Sequence, residues 1–236
     1  MLSFKSLPLL ITISIALSGC TGDNPNGKQL IENHFARSLT YSAASQSYQL
    51  AGQMRGDDGQ MVEISVHIKG PERVRVRMSH PDSTKAFFEG WTNGRQAWAN
   101  GELCTLCMAE DRSFDALNPV FKLLMGDHMF RKTPSELRYS GQIGVGGETL
   151  NRVDFINIDA DSVRLLFNAN TGLLHQIEGG EVSLLRFKDY RGVGDGRMLP
   201  YRIEGDYDGT YLEIDLREVQ LDELPDAIFE IPDQSS

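Results

Sequence analysis

Seven short segments of alternating apolar and polar residues follow one another between residues 137 and 221, and this run constrains the fold more than any other feature. The alternation predicts strands at 137–145, 149–158, 163–168, 173–178, 181–190, 198–207 and 210–221. Glycine-rich turns separate these segments, for example at 168–172 and 192–196. Because such turns are too short for helical crossovers, we predict an antiparallel meander.

The preceding part of the chain carries the same alternation. Residues 48–54 and 62–68 flank a turn at 56–59, which predicts a hairpin with one apolar face. Segments 85–91 and 96–99 flank an Asn-Gly pair and predict a second hairpin. Between the two hairpins, alternation places Val74, Val76 and Met78 inward and Arg73, Arg75 and Arg77 outward. An arginine row also suits a binding surface, but we interpret it as a solvated strand face balanced by neighbouring acids.

Two segments have a helical period instead. Apolar residues at three-to-four spacing predict an amphipathic helix at about 28–42. A second helix is predicted from Asn118, as N-cap, to about residue 126, with Pro119 at the first helical position. A helical turn and an edge segment are predicted at 224–232. The expected fold is therefore α+β, an antiparallel curved sheet covered by two or three helices.

The N-terminus has the parts of a secretory signal peptide. Lys5 is its positive end, and residues 7–17 form an apolar stretch shorter than the roughly twenty residues that a transmembrane anchor needs. The segment Leu17-Ser18-Gly19-Cys20 resembles the lipobox of bacterial lipoproteins. That resemblance implies removal of residues 1–19 and acylation of Cys20 by palmitate or a similar chain, with 20–27 as a tether. The 217 residues of the mature chain are an ordinary length for one sheet with added helices, so we expect 28–236 to form a single domain.

Location follows from the same resemblance. Thr21, rather than Asp, comes after the lipidated cysteine, and in the enteric pattern this favours the outer membrane. We therefore expect a chain that is lipid-anchored on the periplasmic face of the bacterial outer membrane.

The charge argues against two kinds of partner. The 236 residues contain 23 Lys and Arg against 33 Asp and Glu, a formal net charge of −10, and loss of Lys5 makes the mature chain more negative by one charge. No basic cluster is present to bind phosphates, which argues against nucleic acid. The same charge argues against a domain lying on anionic headgroups, so membrane contact is expected through the Cys20 lipid.

Two cysteines remain after Cys20, and Cys104 and Cys107 are expected to form a small disulfide that closes a turn in an oxidising compartment. A thiol-active pair is an alternative, but a thioredoxin-like site needs a βαβ unit, which the pattern does not contain. A zinc half-site would need two more ligands, and the histidines show no ligand spacing. No metal or cofactor is expected.

The order of these elements resembles the LolA/LolB-like superfamily of periplasmic lipoprotein carriers and outer-membrane lipoprotein-sorting proteins. Residues 168–174 resemble that superfamily's turn between two strands, and 187–202 look like its "YR.(V)DG..lP..i" hairpin, with an extra Gly194 as a departure. Phe229-Glu-Ile-Pro232 matches its usual ending. We interpret the hairpin as a folding element in which Gly192, Gly194 and Gly196 adopt positive φ.

The resemblance implies a half-open β-barrel whose concave face, covered by helices, holds acyl chains. If side chains leave part of that concavity empty, a lipid chain gains transfer free energy for each methylene that enters; the alternative is a filled core without a cavity. The lining residues expected from alternation are Leu50, Val62, Ile64, Val66, Val76, Phe88, Phe121, Leu124, Phe155, Leu165 and Phe167.

No catalytic motif is present, since the chain contains no G-x-S-x-G, P-loop or H-E-x-x-H, and a non-enzymatic protein is expected. The leading hypothesis is a lipoprotein that binds or transfers an acyl-bearing ligand, either a lipid or another lipoprotein. A second hypothesis is an envelope protein-interaction or stress-sensing module of the same fold. A third is a thiol-active envelope protein that uses Cys104 and Cys107.

Overall fold

Thirteen β-strands and one α-helix are found in the part of the chain that a computed structural model describes, which comprises residues 26–39, 47–69, 73–83, 85–93, 97–99, 102–103, 136–156, 162–179, 182–194, 196–207, 209–221 and 223–230. Helix α1 spans Gly27–Arg37. The strands are β1 Ser47–Gly56, β2 Met61–Lys69, β3 Arg73–Ser79, β4 Ala86–Asn93, β5 Ala97–Ala99, β6 Glu102–Leu103, β7 Glu136–Val145, β8 Glu148–Ile156, β9 Ser162–Asn168, β10 Leu174–Gly179, β11 Val182–Val193, β12 Arg197–Tyr207 and β13 Thr210–Gln220. A 3-10 helix follows at Asp226–Phe229.

The described strands form one antiparallel sheet in the order β6-β5-β4-β3-β2-β1-β13-β12-β11-β10-β9-β8-β7. Strands adjacent in space are also adjacent in sequence, except that β1 pairs with β13 and so joins β1–β6 to β7–β13. Strands β6 and β7 lie at opposite ends of this order, so the described sheet is open. The predicted α+β class with an antiparallel, half-open sheet is confirmed.

Two glycines lie where neighbouring strands approach too closely for a side chain. Gly52 follows a register shift between β1 and β13, and a Cβ there would stand 2.9 Å from Leu216 Cα. Gly205 has φ of 151°, and its Cβ would stand 2.8 Å from the carbonyl carbon of Leu184, where the β11–β12 register also shifts. Bulges with glycine bend and twist strands, so these positions contribute to the curvature of the sheet.

Helix α1 is shorter than predicted. It begins after Asn26, whose side chain accepts a hydrogen bond from the Gln29 N–H, and it ends at Arg37 rather than near residue 42. Ser38 takes an extended conformation and forms an isolated parallel bridge with Met198 of β12, so a tertiary contact ends the helix. The second predicted helix, at 118–126, lies outside the described residues.

The β11–β12 hairpin differs from its prediction at one glycine. Gly194 and Gly196 have positive φ, as expected, but Gly192 lies inside β11 without it. Asp189 instead has φ of 51°, and it is the only non-glycine residue with positive φ in the described part of the chain. Asp tolerates this conformation because its short side chain bonds locally, and here it forms an ion pair with Arg191.

The two faces of the sheet differ in chemistry. The inner face carries the apolar core, described below, and the outer face carries ion pairs within strands and between them. A hydrogen bond from Lys188 lowers the pKa of Glu204 on this outer face. The outer pairs include Arg152 with Asp154, Arg164 with Glu178, Lys188 with Glu204, and Arg202 with Glu213.

The arginine row of β3 is partly covered by the C-terminal segment, residues 223–230. Arg73 pairs with Asp226 over 2.6 Å, and Arg75 donates to the Ile228 carbonyl over 3.3 Å as well as to Glu89. The 3-10 helix of this segment packs on β3 and β4, with Phe229 2% exposed. The row is therefore less solvated than predicted, although Val74, Val76 and Met78 do point inward into the core.

Candidate functional site

The inner face of the sheet is a continuous apolar layer, and it contains most of the predicted lining residues. Leu50, Ile64, Val66, Val76, Leu165 and Phe167 all belong to one buried core cluster. Val62 and Phe155 are buried as well, and Phe88 is half-buried against the cluster. Phe121 and Leu124 lie outside the described residues, as do Cys20, Cys104 and Cys107.

Strand register explains why these side chains lie together. Leu50, Val66 and Val76 face one another across β1, β2 and β3, and this row ends at Gly90 of β4. The next row runs from Ile64 through Met78 to Phe88. Because side chains alternate between faces with a period of two, each row places its apolar groups on the inner side.

Helix α1 covers the inner face on the side of the C-terminal strands. Leu30, Ile31 and His34 are its buried side chains beyond the first residue, and the helix contacts β7 and β12. Its N-terminal residue lies very close to the sheet, since a Cβ on Gly27 would stand 2.9 Å from Val153 Cγ1. The apolar stripe predicted for this helix therefore faces the sheet, as expected of an amphipathic cover.

One polar group on α1 is buried against the inner face. His34 Nδ1 accepts a hydrogen bond from the Leu174 N–H over 3.2 Å, and the Leu174 carbonyl accepts one from the Tyr190 hydroxyl over 2.6 Å. The imidazole also lies 5.8 Å, centroid to centroid, from the Phe167 ring. The side chains of His34 and Tyr190 thus satisfy the backbone N–H and the carbonyl of Leu174, the first residue of β10.

The electrostatics of this cluster favour neutral side chains. Burial lowers the pKa of His34 to about 4, and burial also raises the pKa of Tyr190. Since Nδ1 accepts a hydrogen bond, the neutral imidazole carries its proton on Nε2, which lies 3.5 Å from Ser38 Oγ. Both groups are therefore uncharged near neutral pH.

The remaining buried polar side chains are also uncharged. In the part of the chain that the structure describes they are Ser38, Asn151 and Gln176, besides His34. Gln176 donates to Glu178 on the outer face, so it does not belong to the inner face. Asn151 accepts hydrogen bonds from the Tyr139 hydroxyl and from Gln142 on β7. An inner face of this kind suits an apolar ligand, because a charged one would lose its hydration without gaining a partner.

A cleft lies on the outer face, and four of its eight lining residues are charged. This cleft of about 360 Å³ lies where β8 and β10 end and β9 begins. Its lining residues are Arg152, Asp154, Ile156, Ser162, Val163, Arg164, Glu178 and Gly179. The four charged side chains are ion-paired with one another, as expected for a solvent-facing sheet surface.

Among the described residues, no group of three or more His, Cys, Asp or Glu side chains is placed to hold a metal ion. No helix in these ranges has the length and apolar character needed to span a membrane.

Sequence reasoning missed the roles of His34 and Tyr190. The signal for His34 was present, because a histidine stands in the apolar stripe of the predicted helix with Ser38 one turn later. Its partner was not predictable, since Leu174 lies 140 residues further along the chain.

Comparison with solved structures identifies the fold. A LolA superfamily protein from Nitrosomonas europaea superposes with a TM-score of 0.58 at 17% identity, over 88% of this chain and 98% of that one. The chain has a LolA/LolB-like fold. A domain assigned as an outer membrane lipoprotein-sorting protein from Vibrio parahaemolyticus gives 0.59 at 10% identity, over 86% and 95%.

A third similar structure is assigned to another family. A DUF1329 family protein from Desulfovibrio piger gives a TM-score of 0.61 at 14% identity, over 86% of this chain and 95% of that one. No protein-family model matches the sequence, and no curated protein matches it significantly. The likeness at these identities concerns the fold alone.

Proposed function

We propose that this chain is a lipoprotein of the bacterial outer membrane, facing the periplasm, that binds or transfers an acyl-bearing ligand on the inner face of its sheet. The observation that carries the proposal is the apolar and uncharged inner face, which α1 covers on one side. Each methylene buried there gains about 0.8 kcal/mol of transfer free energy. The ligand is a lipid or the acylated end of another lipoprotein.

The location rests on the N-terminal sequence. Residues 1–19 are removed as a signal peptide, Cys20 is acylated, 20–27 form the tether, and 28–236 form one domain. Labelled palmitate is expected to enter the parent chain and not a Cys20→Ser variant. Mass spectrometry of the mature chain is expected to find Cys20 as its modified first residue, and an unmodified Cys20 would exclude the anchor.

The ligand is tested on the domain produced without its lipid anchor. Lipids extracted from the purified Cys20→Ser domain are expected to contain acyl chains by mass spectrometry. A dansylated fatty acid, which brightens in an apolar site, is expected to bind the delipidated domain. If no lipid co-purifies and the probe does not bind, the proposal is wrong and the protein-interaction hypothesis replaces it.

A matched pair of variants locates the ligand. Phe88→Glu places a carboxylate at the half-buried margin of the inner face, whereas Phe87→Glu places one on its exposed neighbour. Desolvating a carboxylate beside an acyl chain costs more than about 1.4 kcal/mol, so Phe88→Glu is expected to raise the Kd of the probe about tenfold or more. Phe87→Glu is expected to leave it unchanged, and equal effects would place the ligand elsewhere.

A further inference from the structure

The two ends of α1 are held to the sheet in different ways. Three polar contacts with other described residues hold the C-terminal end to the sheet. The Leu174 N–H donates to His34 over 3.2 Å, the Arg37 guanidinium donates to the Thr171 carbonyl, and the Leu39 N–H donates to the Met198 carbonyl over 2.9 Å. These contacts reach the β9–β10 turn, β10 and β12.

The N-terminal end has no such contacts with the described part of the chain. Within the described chain, residues 26–32 form hydrogen bonds and ion pairs only with their own helix. Asn26 caps Gln29, and Lys28 pairs with Glu32 over 3.6 Å in solvent. This end meets the sheet through apolar packing, in which Gly27 approaches Leu137, Tyr139 and Val153.

The strand beneath that end is the last one in the described sheet. Strand β7 pairs with β8 on one side, and its residues Leu137 and Tyr139 are half-buried against the core. The inner face therefore meets the edge of the sheet beneath the first turn of α1. An acyl chain that enters here needs to separate only apolar surfaces, and its own methylenes replace the contacts that are lost.

We infer that the acyl chain enters the inner face through a portal between the first turn of α1, residues 27–31, and strand β7, while the C-terminal end of the helix acts as the pivot. This inference rests on the proposed function. Opening at the other end would break the His34–Leu174 hydrogen bond inside the core, and an unsatisfied buried polar group is costly. Opening at the portal leaves the three polar contacts at the C-terminal end in place.

A reversible disulfide across the portal tests the inference. A Cβ on Gly27 would lie 3.6 Å from Leu137 Cβ, which is within the usual range of about 3.5–4.5 Å for a disulfide. The double variant Gly27→Cys with Leu137→Cys is made in a domain whose Cys20, Cys104 and Cys107 are serine. Uptake of the dansylated fatty acid is expected to be lost in the oxidised form and restored by dithiothreitol, with the two single variants as controls.

Hydrogen exchange on the unmodified Cys20→Ser domain gives a second readout that does not depend on the double variant folding. Amides of residues 30–33 are expected to exchange faster than those of 34–39, and oleate is expected to slow the first group. Faster exchange of 34–39 would overturn the pivot. Equal uptake by oxidised and reduced forms would overturn the portal and leave the proposed function intact, whereas absence of uptake by the parent domain would overturn both.

Discussion

The imidazole Nδ1 of His34 on α1 accepts a hydrogen bond from the backbone N–H of Leu174 at the start of β10, over 3.2 Å. This bond joins the covering helix to the sheet inside the core. It also requires a neutral ring, because a protonated Nδ1 would face another donor. The charge state of His34 is thus coupled to the packing of α1 on the sheet.

The first prediction concerns pH. Burial lowers the pKa of His34 to about 4, against 6.5 in the unfolded chain. Above pH 6.5 the His34 side chain is neutral in both the folded and the unfolded state, so the folded state has its full stability. As the pH falls from 6.5 towards 4, the unfolded state binds a proton that the folded state does not, so the free energy of unfolding falls by about 3 kcal/mol from this group.

Urea unfolding between pH 7 and 4 checks this expectation with a variant that cannot titrate. In His34→Asn, the Asn Oδ1 can take the place of Nδ1 as acceptor. The free energy of unfolding is expected to depend less steeply on pH in the variant than in the parent. Parallel curves for the two proteins would show that His34 is not the titrating group.

The second prediction concerns the other side of Leu174. Tyr190→Phe removes the hydroxyl that donates to the Leu174 carbonyl over 2.6 Å, and loss of a buried partner is expected to cost about 1–3 kcal/mol of unfolding free energy. The matched control is Tyr211→Phe, whose side chain is 41% exposed and bonds Glu213 in solvent. The control is expected to stay within about 0.5 kcal/mol of the parent. Equal losses in chemical denaturation would contradict the role assigned to Tyr190.

Much of the sheet could be predicted from local pattern, because alternation reports which face is buried wherever one face meets the core. Strands β2 and β3 show this well, since their apolar residues at 62–68 and 74–78 are the ones found inside. The inner-face candidates followed from the same rule and needed no knowledge of the tertiary structure.

What local pattern missed depends on contacts between distant segments. The end of α1 is set by pairing of Ser38 with Met198, and the partner of His34 is a backbone group in another half of the chain. The coverage of the arginine row depends on Asp226, about 150 residues away. Residue propensity alone also predicted positive φ at Gly192, whereas in the structure Asp189 has it.

The third prediction concerns the curvature of the sheet. Gly205→Ala places a methyl group 2.8 Å from the Leu184 carbonyl carbon and closer still to its oxygen, at a φ of 151° that alanine rarely adopts. We expect a loss of at least about 3 kcal/mol of unfolding free energy, or failure to fold. Gly192→Ala is the control, because no atom of another segment lies within 4 Å of its Cβ position. Similar melting temperatures for both variants would show that Gly205 is not needed for the bend.

The fourth prediction concerns the C-terminal segment on the outer face. Trp91 of β4 stands opposite Arg75 of β3, and the Trp91 side chain is 3% exposed. Arg75 donates a hydrogen bond to the Ile228 carbonyl of the C-terminal segment. Phe229→Ala removes the buried phenyl that anchors this segment, at a cost of about 3 kcal/mol, and is expected to detach it. Acrylamide quenching of Trp91, measured with Trp98→Phe to leave a single tryptophan, is then expected to increase. The control is Phe87→Ala, which removes a phenyl that is 49% exposed on the same strand and is expected to leave the quenching of Trp91 unchanged. If Phe229→Ala also leaves the quenching unchanged, another part of the protein shields Trp91.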